Sequence, residues 1–369
     1  MQKNRVGGKR FVRGIRQGVA LFLAVVGLWM LWLTGDPGEV WRELAAGVRP
    51  EEEDGGLSLA DRLVLGQSVL LRGEVIIPDE KEPERGELLP TLSPATPAPK
   101  QSAPPTTTAP EDIIVKTMVA GTSGKYITAG RVSIFNHTNY TPDIEEMLRE
   151  APKLVPAEEG PTVLIFHSHA TEAYTMDGTD LYEESDSYRT LNTRQNMVRI
   201  GEEMKNIFEA AGIGVIHDTT LYDYPKYNEA YNRSAAGVAQ WLEEYPSIRL
   251  VLDVHRDALA AADGTIYKTA VGTLEDCAQV MLVMGSDAMG QEHPNWRTNL
   301  ALALSIQEAL TAKWSTLARP LVLRTSRFNQ QLSPGMLLVE VGTHGNTLQE
   351  AIRAARIFAR TVTEMMLRE

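Results

Sequence analysis

The chain has 369 residues, 23% of them charged, and a formal net charge of −12. That acidic balance argues against nucleic acid as a partner and against simple electrostatic adhesion to an anionic wall polymer. A single cysteine, Cys277, excludes an intrachain disulfide, so the core must be held by packing.

Residues 1 to 17 carry Lys3, Arg5, Lys9, Arg10, Arg13 and Arg16 and no acid, and the stretch from Gly18 to Leu33 is wholly apolar. Positive charge ahead of an apolar run holds the amino terminus in the cytoplasm. No small-x-small cleavage site follows in LWLTGDPGEV, which favours an uncleaved single-pass anchor over 18 to 35 and places the remainder outside the cytoplasm. Residues 36 to 79 form a juxtamembrane segment to which the sequence assigns no role. Residues 80 to 111 are rich in Pro, Thr, Ala and Glu, a composition that cannot build a core and favours extended chain. At roughly 3.1 Å per residue such a tether reaches on the order of 100 Å.

From residue 112 to 369, about 250 residues remain for one domain, and strand and helix signals alternate. Strands fit at 131 to 136, 161 to 167, 213 to 217, 248 to 254, 278 to 284, 320 to 324 and 336 to 341. A short helix fits after Pro142, and longer ones at 192 to 211, 227 to 244, 296 to 314 and 347 to 367, where apolar residues recur every three or four positions. The pattern predicts an α/β domain with a largely parallel sheet. Ligands of such sheets bind beyond the carboxyl ends of strands.

Three apolar runs lead into groups that hold metals. VLIFHSHATEAY (163 to 174) delivers His167, His169 and Glu172, RLVLDVHRDA (249 to 258) delivers His255, and MLLVEVGTHGN (336 to 346) delivers Glu340. A catalytic zinc site needs three protein ligands and one open position. His169, Glu172 and His255 supply the three, and the spacing from 169 to 172 lets both side chains leave one turn in the same direction. Alternation along a strand also puts His167 beside His169, so either imidazole suits the metal. His169 lies further past the strand end, which leaves His167 as an outer donor or substrate contact. Glu340 is then free as a general base for amide hydrolysis. Arg256 suits a developing oxyanion or a peptide carboxylate, with a loop-orienting salt bridge as the equal alternative. Asp257, Tyr174 and Asn346 are candidates to line the cleft. His137, His217, His293 and His344 lack a second ligand at useful spacing and read as structural or exposed. Ser168 lacks the Gly-x-Ser-x-Gly surroundings of a serine nucleophile.

The segments HSHATEAY, DVHRDA and LLVEVGTHGNTLQEA, with the amino-terminal layout, resemble the stage II sporulation protein P family, peptidoglycan hydrolases of spore-forming bacteria. The last two segments are also distantly similar to zinc N-acetylmuramoyl-L-alanine amidases, with Gly342, Asn346 and Glu350 where that pattern wants them. Those amidases usually take a glutamate ligand from the helix after the first strand. Here that stretch, YRTLNTRQNMVRIG (188 to 201), has no acid, so either Glu172 substitutes or the third ligand is another residue. The same ligand order occurs in metallocarboxypeptidases. The resemblance implies a zinc amidase, with endopeptidase activity besides, on the mother-cell side of the sporulation septum during engulfment. It also implies sporulation proteins D, a glycan-strand lyase, and M, a polytopic membrane protein, as partners. A wall carboxypeptidase or endopeptidase without amidase activity, and a non-catalytic wall-binding scaffold, are the alternatives.

Overall fold

The computed structural model describes residues 113 to 368 apart from Glu275. The basic segment, anchor, juxtamembrane segment and linker expected before residue 112 lie outside the described residues. Among the described residues no helix is long and apolar enough to cross a membrane.

In chain order the elements are β1 (Ile114–Lys116), β2 (Tyr126–Ala129), β3 (Val132–Asn136), α1 (Ile144–Glu150), β4 (Val163–Phe166), α2 (Met197–Ala210), β5 (Val215–His217), α3 (Ala230–Glu244), β6 (Leu250–Asp257), β7 (Tyr267–Thr269), β8 (Val280–Met284), α4 (Trp296–Lys313), β9 (Leu321–Leu323), a 3-10 turn (Gln330–Leu332), β10 (Met336–Thr343) and α5 (Leu348–Leu367). Each predicted strand and helix has its counterpart. α2 and α5 start later than the apolar periodicity suggests, where side-chain caps set them. Asn196 accepts from the Val198 N–H ahead of α2, and Thr347 and Glu350 form a reciprocal capping box ahead of α5.

One eight-stranded sheet runs in the order β2-β3-β9-β8-β10-β6-β4-β5. The β2–β3 and β8–β10 pairs are antiparallel and the other five are parallel. β10, the last strand along the chain, therefore sits in the middle of the sheet. The small parallel pair of β1 with β7 was not expected, since its three-residue strands carry no alternation to read.

Alternation sorts each central strand between two faces. Leu250, Leu252 and Val254 of β6, with Leu337, Val339 and Val341 of β10, enter the large core under α2, α4 and α5. On the opposite face Val251 and Met336 pack with Leu164, Phe166 and Val238 of α3. Asp253, His255 and Glu340 share the parity of Val251 and Met336 and so point to the α3 face. The polar groups thus share the α3 face with its smaller apolar cluster.

β10 begins at a tight junction. Gly335 has φ +87°, a Cβ there would lie 2.3 Å from the Arg249 carbonyl oxygen, and its own carbonyl accepts from the Val251 N–H at 3.0 Å. Gly335→Ala should therefore destabilise the fold by about 2 to 4 kcal/mol, read as a lower urea midpoint. An unchanged midpoint would show that the β6–β10 junction tolerates the side chain.

Candidate metal centre

β4 pairs with β6 only as far as Phe166 opposite Asp253, whereas β6 continues to Asp257 against β10. The turn after β4 folds against this overhang. Its Glu172 N–H donates to the His169 carbonyl at 3.2 Å, so His169 and Glu172 leave one turn. The sequence suggests ligands at strand ends, but His255 lies inside β6 and Glu340 inside β10. Mutual pairing carries both strands past the expected limits.

This packing brings donor atoms of His169, Glu172 and His255 within 4.8 Å of one another, all three residues being buried. Nδ1 of His169 lies 3.7 Å from Glu172 Oε1, and Nδ1 of His255 lies 3.5 Å from Glu172 Oε2. The two imidazoles are 5.0 Å apart and nearly perpendicular at 84°. Tetrahedral zinc, with bonds near 2.0 Å, sets neighbouring donors about 3.3 Å apart. The spacing and chemistry of this set fit a zinc ion.

The electrostatics also suit a cation. Burial drives the His169 imidazole well below its ordinary value, despite an opposing pull from Glu172, and keeps it neutral. Burial opposes ionisation of Glu172, yet Arg256, His255 and Arg189 outweigh it and hold the carboxylate charged. Burial alone would lower His255, but Asp253 and Glu172 carry its net shift well upward. Tyr227 stacks on His169 at 4.6 Å, and the Tyr231 ring stands 5.3 Å from the same imidazole.

Glu340 neighbours His255 in register on β10. Its Oε2 is buried with no hydrogen-bond partner among the described residues. Burial, followed by the charge of Asp257, pushes its carboxyl up to about 8. The carboxyl faces the same side of the sheet as His255.

Other expected site residues take different places. His167 does not join the ligand group: its Nδ1–H donates to the Val254 carbonyl at 2.8 Å and its Nε2 meets His217 Nε2 at 3.0 Å. Both ring nitrogens are used inside the fold, because the turn after β4 sends His167 under α2 and His169 away from it. Arg256 is buried, with Nε donating to the Ala173 carbonyl at 3.0 Å and Nη2 to the Tyr188 carbonyl at 3.1 Å. That fastens the ligand-bearing turn, the loop-orienting alternative. Asp257 is engaged by Arg319 at 2.7 Å. Tyr174, 1% exposed, donates to the Val341 carbonyl. Asn346 joins Thr269, Thr343 and Glu350 in a buried network. These last three hold the loops together and do not line a cleft.

Sequence reading missed Asp253, which bonds His255, and Arg189, which reaches Glu172 at 3.4 Å and Asp223 at 2.9 Å. Asp253 was findable, since it stands two residues before His255 and strand alternation puts both on one face. Arg189 arrives on a loop that carries no periodic signal, and Tyr227 and Tyr231 belong to the stretch predicted as a helix over 227 to 244, where their spacing gives no link to the histidines.

The fold and the cluster define an α/β protein with a buried His–Glu–His group at the carboxyl edge of a largely parallel sheet. The chain belongs to the stage II sporulation protein P family, whose model matches residues 122–363. Stage II sporulation protein P of Bacillus subtilis (strain 168) is 26% identical over 214 residues, covering 55% of this chain and 50% of that protein. The chain thus spans about half the length of the curated relative it matches. Among solved structures, N-acetylmuramoyl-L-alanine amidase AmiC2 of Nostoc punctiforme matches with a TM-score of 0.34 and 12% identity, over 57% of this chain and 97% of that one. The CwlD amidase from Clostridioides difficile, in complex with the GerS lipoprotein, matches with a TM-score of 0.34 and 13% identity, over 55% of this chain and 96% of that one. Scores this low carry no weight for function.

His169→Ala and His255→Ala should each abolish stoichiometric zinc, measured by elemental analysis of purified protein. His167→Ala should keep zinc while losing about 2 to 4 kcal/mol of stability to the cavity and the orphaned Val254 carbonyl. Zinc loss in His167→Ala at unchanged stability would return that residue to the ligand set.

Proposed function

We propose that this domain is a zinc-dependent N-acetylmuramoyl-L-alanine amidase that cuts peptidoglycan, with endopeptidase activity on cross-links besides. The observation that carries the reading is the convergence of His169, Glu172 and His255 beside Glu340, a carboxyl with an unpartnered buried oxygen. Family membership supplies the wall context. By the same reading the residues before 112 anchor and tether the enzyme outside the cytoplasm, on the mother-cell side of the septum. Its partners there are sporulation proteins D and M.

His169, Glu172 and His255 would hold the ion. Zinc, when bound, supplies Lewis acidity that polarises a scissile carbonyl and acidifies water. Glu340 takes a proton from the attacking water as its oxygen bonds the lactyl carbonyl carbon. The carbon–nitrogen bond to L-alanine then breaks, and Glu340 returns the proton to the departing amine. Arg256 and Arg189 keep Glu172 ionised and in place, and Arg319 holds Asp257 beside the base. Tyr227 and Tyr231 wall the cluster on the α3 side.

Glu340→Gln should retain fold and zinc but lower turnover by about 100- to 10,000-fold, followed by dye release from labelled sacculi. Unchanged turnover would remove Glu340 from the chemistry. Mass spectrometry of the wild-type digest should show intact stem peptides with a free amino-terminal L-alanine. Loss of terminal D-alanine with the lactyl bond intact would replace the amidase reading with a carboxypeptidase. Binding without turnover in zinc-loaded protein would replace it with a scaffold.

A further inference from the structure

Behind His255 stands a carboxylate that the chemistry above does not use. Asp253, 1% exposed, accepts at Oδ1 from His255 Nε2 at 2.8 Å and from the Ser168 N–H at 2.8 Å, and at Oδ2 from the Ser168 hydroxyl at 2.7 Å. The Asp253 Oδ1 that accepts from the Ser168 N–H also meets His255 Nε2, so that ring nitrogen carries a proton. His255 Nδ1 is left facing Glu172 Oε2 at 3.5 Å. Ser168 is also the residue next to His169, at the start of the turn that bears His169 and Glu172. Asp253 therefore grips the ring of one ligand and the backbone of the turn carrying the other two. Ser234 of α3 supports the Ser168 hydroxyl at 2.8 Å, and the Asn329 amide donates to Ser234 at 3.2 Å.

We propose that Asp253 is a positioning residue of the metal centre, fixing His255 as the Nε2–H tautomer so that it binds metal through Nδ1, and holding the 168–172 turn in register with it. The inference rests on the metal reading above. An outer carboxylate of this kind typically changes metal affinity by about 10- to 100-fold.

Asp253→Asn is the sharpest variant. An amide oxygen at Oδ1 still accepts from His255 and from the Ser168 N–H, while the amide nitrogen can donate to the Ser168 hydroxyl, so geometry is preserved and charge is removed. Zinc affinity of the full-length protein, measured by competition with a chromophoric chelator, should weaken about 10- to 100-fold. Ser168→Ala leaves the Asp253–His255 bond intact and should weaken zinc by less than Asp253→Asn. Wild-type affinity in Asp253→Asn, or equal loss in both variants, would overturn the proposal. Nitrogen-15 spectra of the ring-labelled histidines in zinc-loaded wild-type protein give a readout that does not depend on any variant folding. Nδ1 of His255 should be metal-bound with Nε2 protonated, the ring being assigned by through-bond correlation to the sequentially assigned His255 backbone. Coordination through Nε2 would overturn the proposal while leaving the metal centre standing. Wild-type protein that takes up no zinc would instead sink the metal centre itself.

Discussion

The pairing of β6 with β10 beyond the end of β4 is the constraint on which the site rests. A parallel strand satisfies its backbone groups on both sides while paired, and β4 stops at Asp253 on one side of β6. Past that point β10 is the strand still paired with β6, and the turn after β4 takes up the freed side, where His167 donates to the Val254 carbonyl and the Arg256 N–H donates to Glu172 Oε2. Two ligands thereby meet a third that comes from a different strand. The turn is fastened at its far end as well, since the Thr175 N–H donates to the carbonyls of His344 and Asn346 at 2.9 and 3.0 Å. The loops following β4 and β10 are thus tied together across β6, and no ligand depends on a free loop for its place.

Charge is distributed around this frame with one exception. Glu172 is held by Arg256 and Arg189, Asp257 by Arg319, and Asp253 by His255. Burying a carboxylate is costly unless a partner compensates it, and these three are compensated. Glu340 has an oxygen without a hydrogen-bond partner, and its carboxyl is shifted upward. The contrast separates groups that hold the site from the group suited to exchange a proton. A mechanism in which Glu340 moves protons uses the one carboxyl whose environment does not lock its charge.

Much of this was legible before any coordinates. The runs VLIF, LVLDV and MLLVEV are long and apolar enough to specify buried strands, and their polar followers identify the edge where chemistry gathers. His169, Glu172, His255 and Glu340 are singled out that way, and the fold brings the first three within reach of one another. Strand alternation still holds at His167, which keeps to the α2 face with Val163 and Ile165, and fails at His169, because β4 ends at Phe166 and the turn swings that imidazole to the α3 face. Sequence position alone also suggested that Arg256, Asp257, Tyr174 and Asn346 meet substrate. Their polar atoms instead satisfy buried carbonyls and charges, a demand that only the folded neighbourhood reveals. Arg189 illustrates the remaining gap: it reaches Glu172 from a loop 17 residues away in sequence, and no spacing rule connects them.

The central place of β10 has a bearing on how the protein is made. A polypeptide that emerges residue by residue holds β8 and β6 long before the strand that belongs between them. Until residues 336 to 343 are released, the sheet is two separate pieces with long apolar edges, a state that favours chaperone engagement over independent folding. The same strand delivers Glu340. Closure of the scaffold and acquisition of the carboxylate proposed as base are consequently a single event.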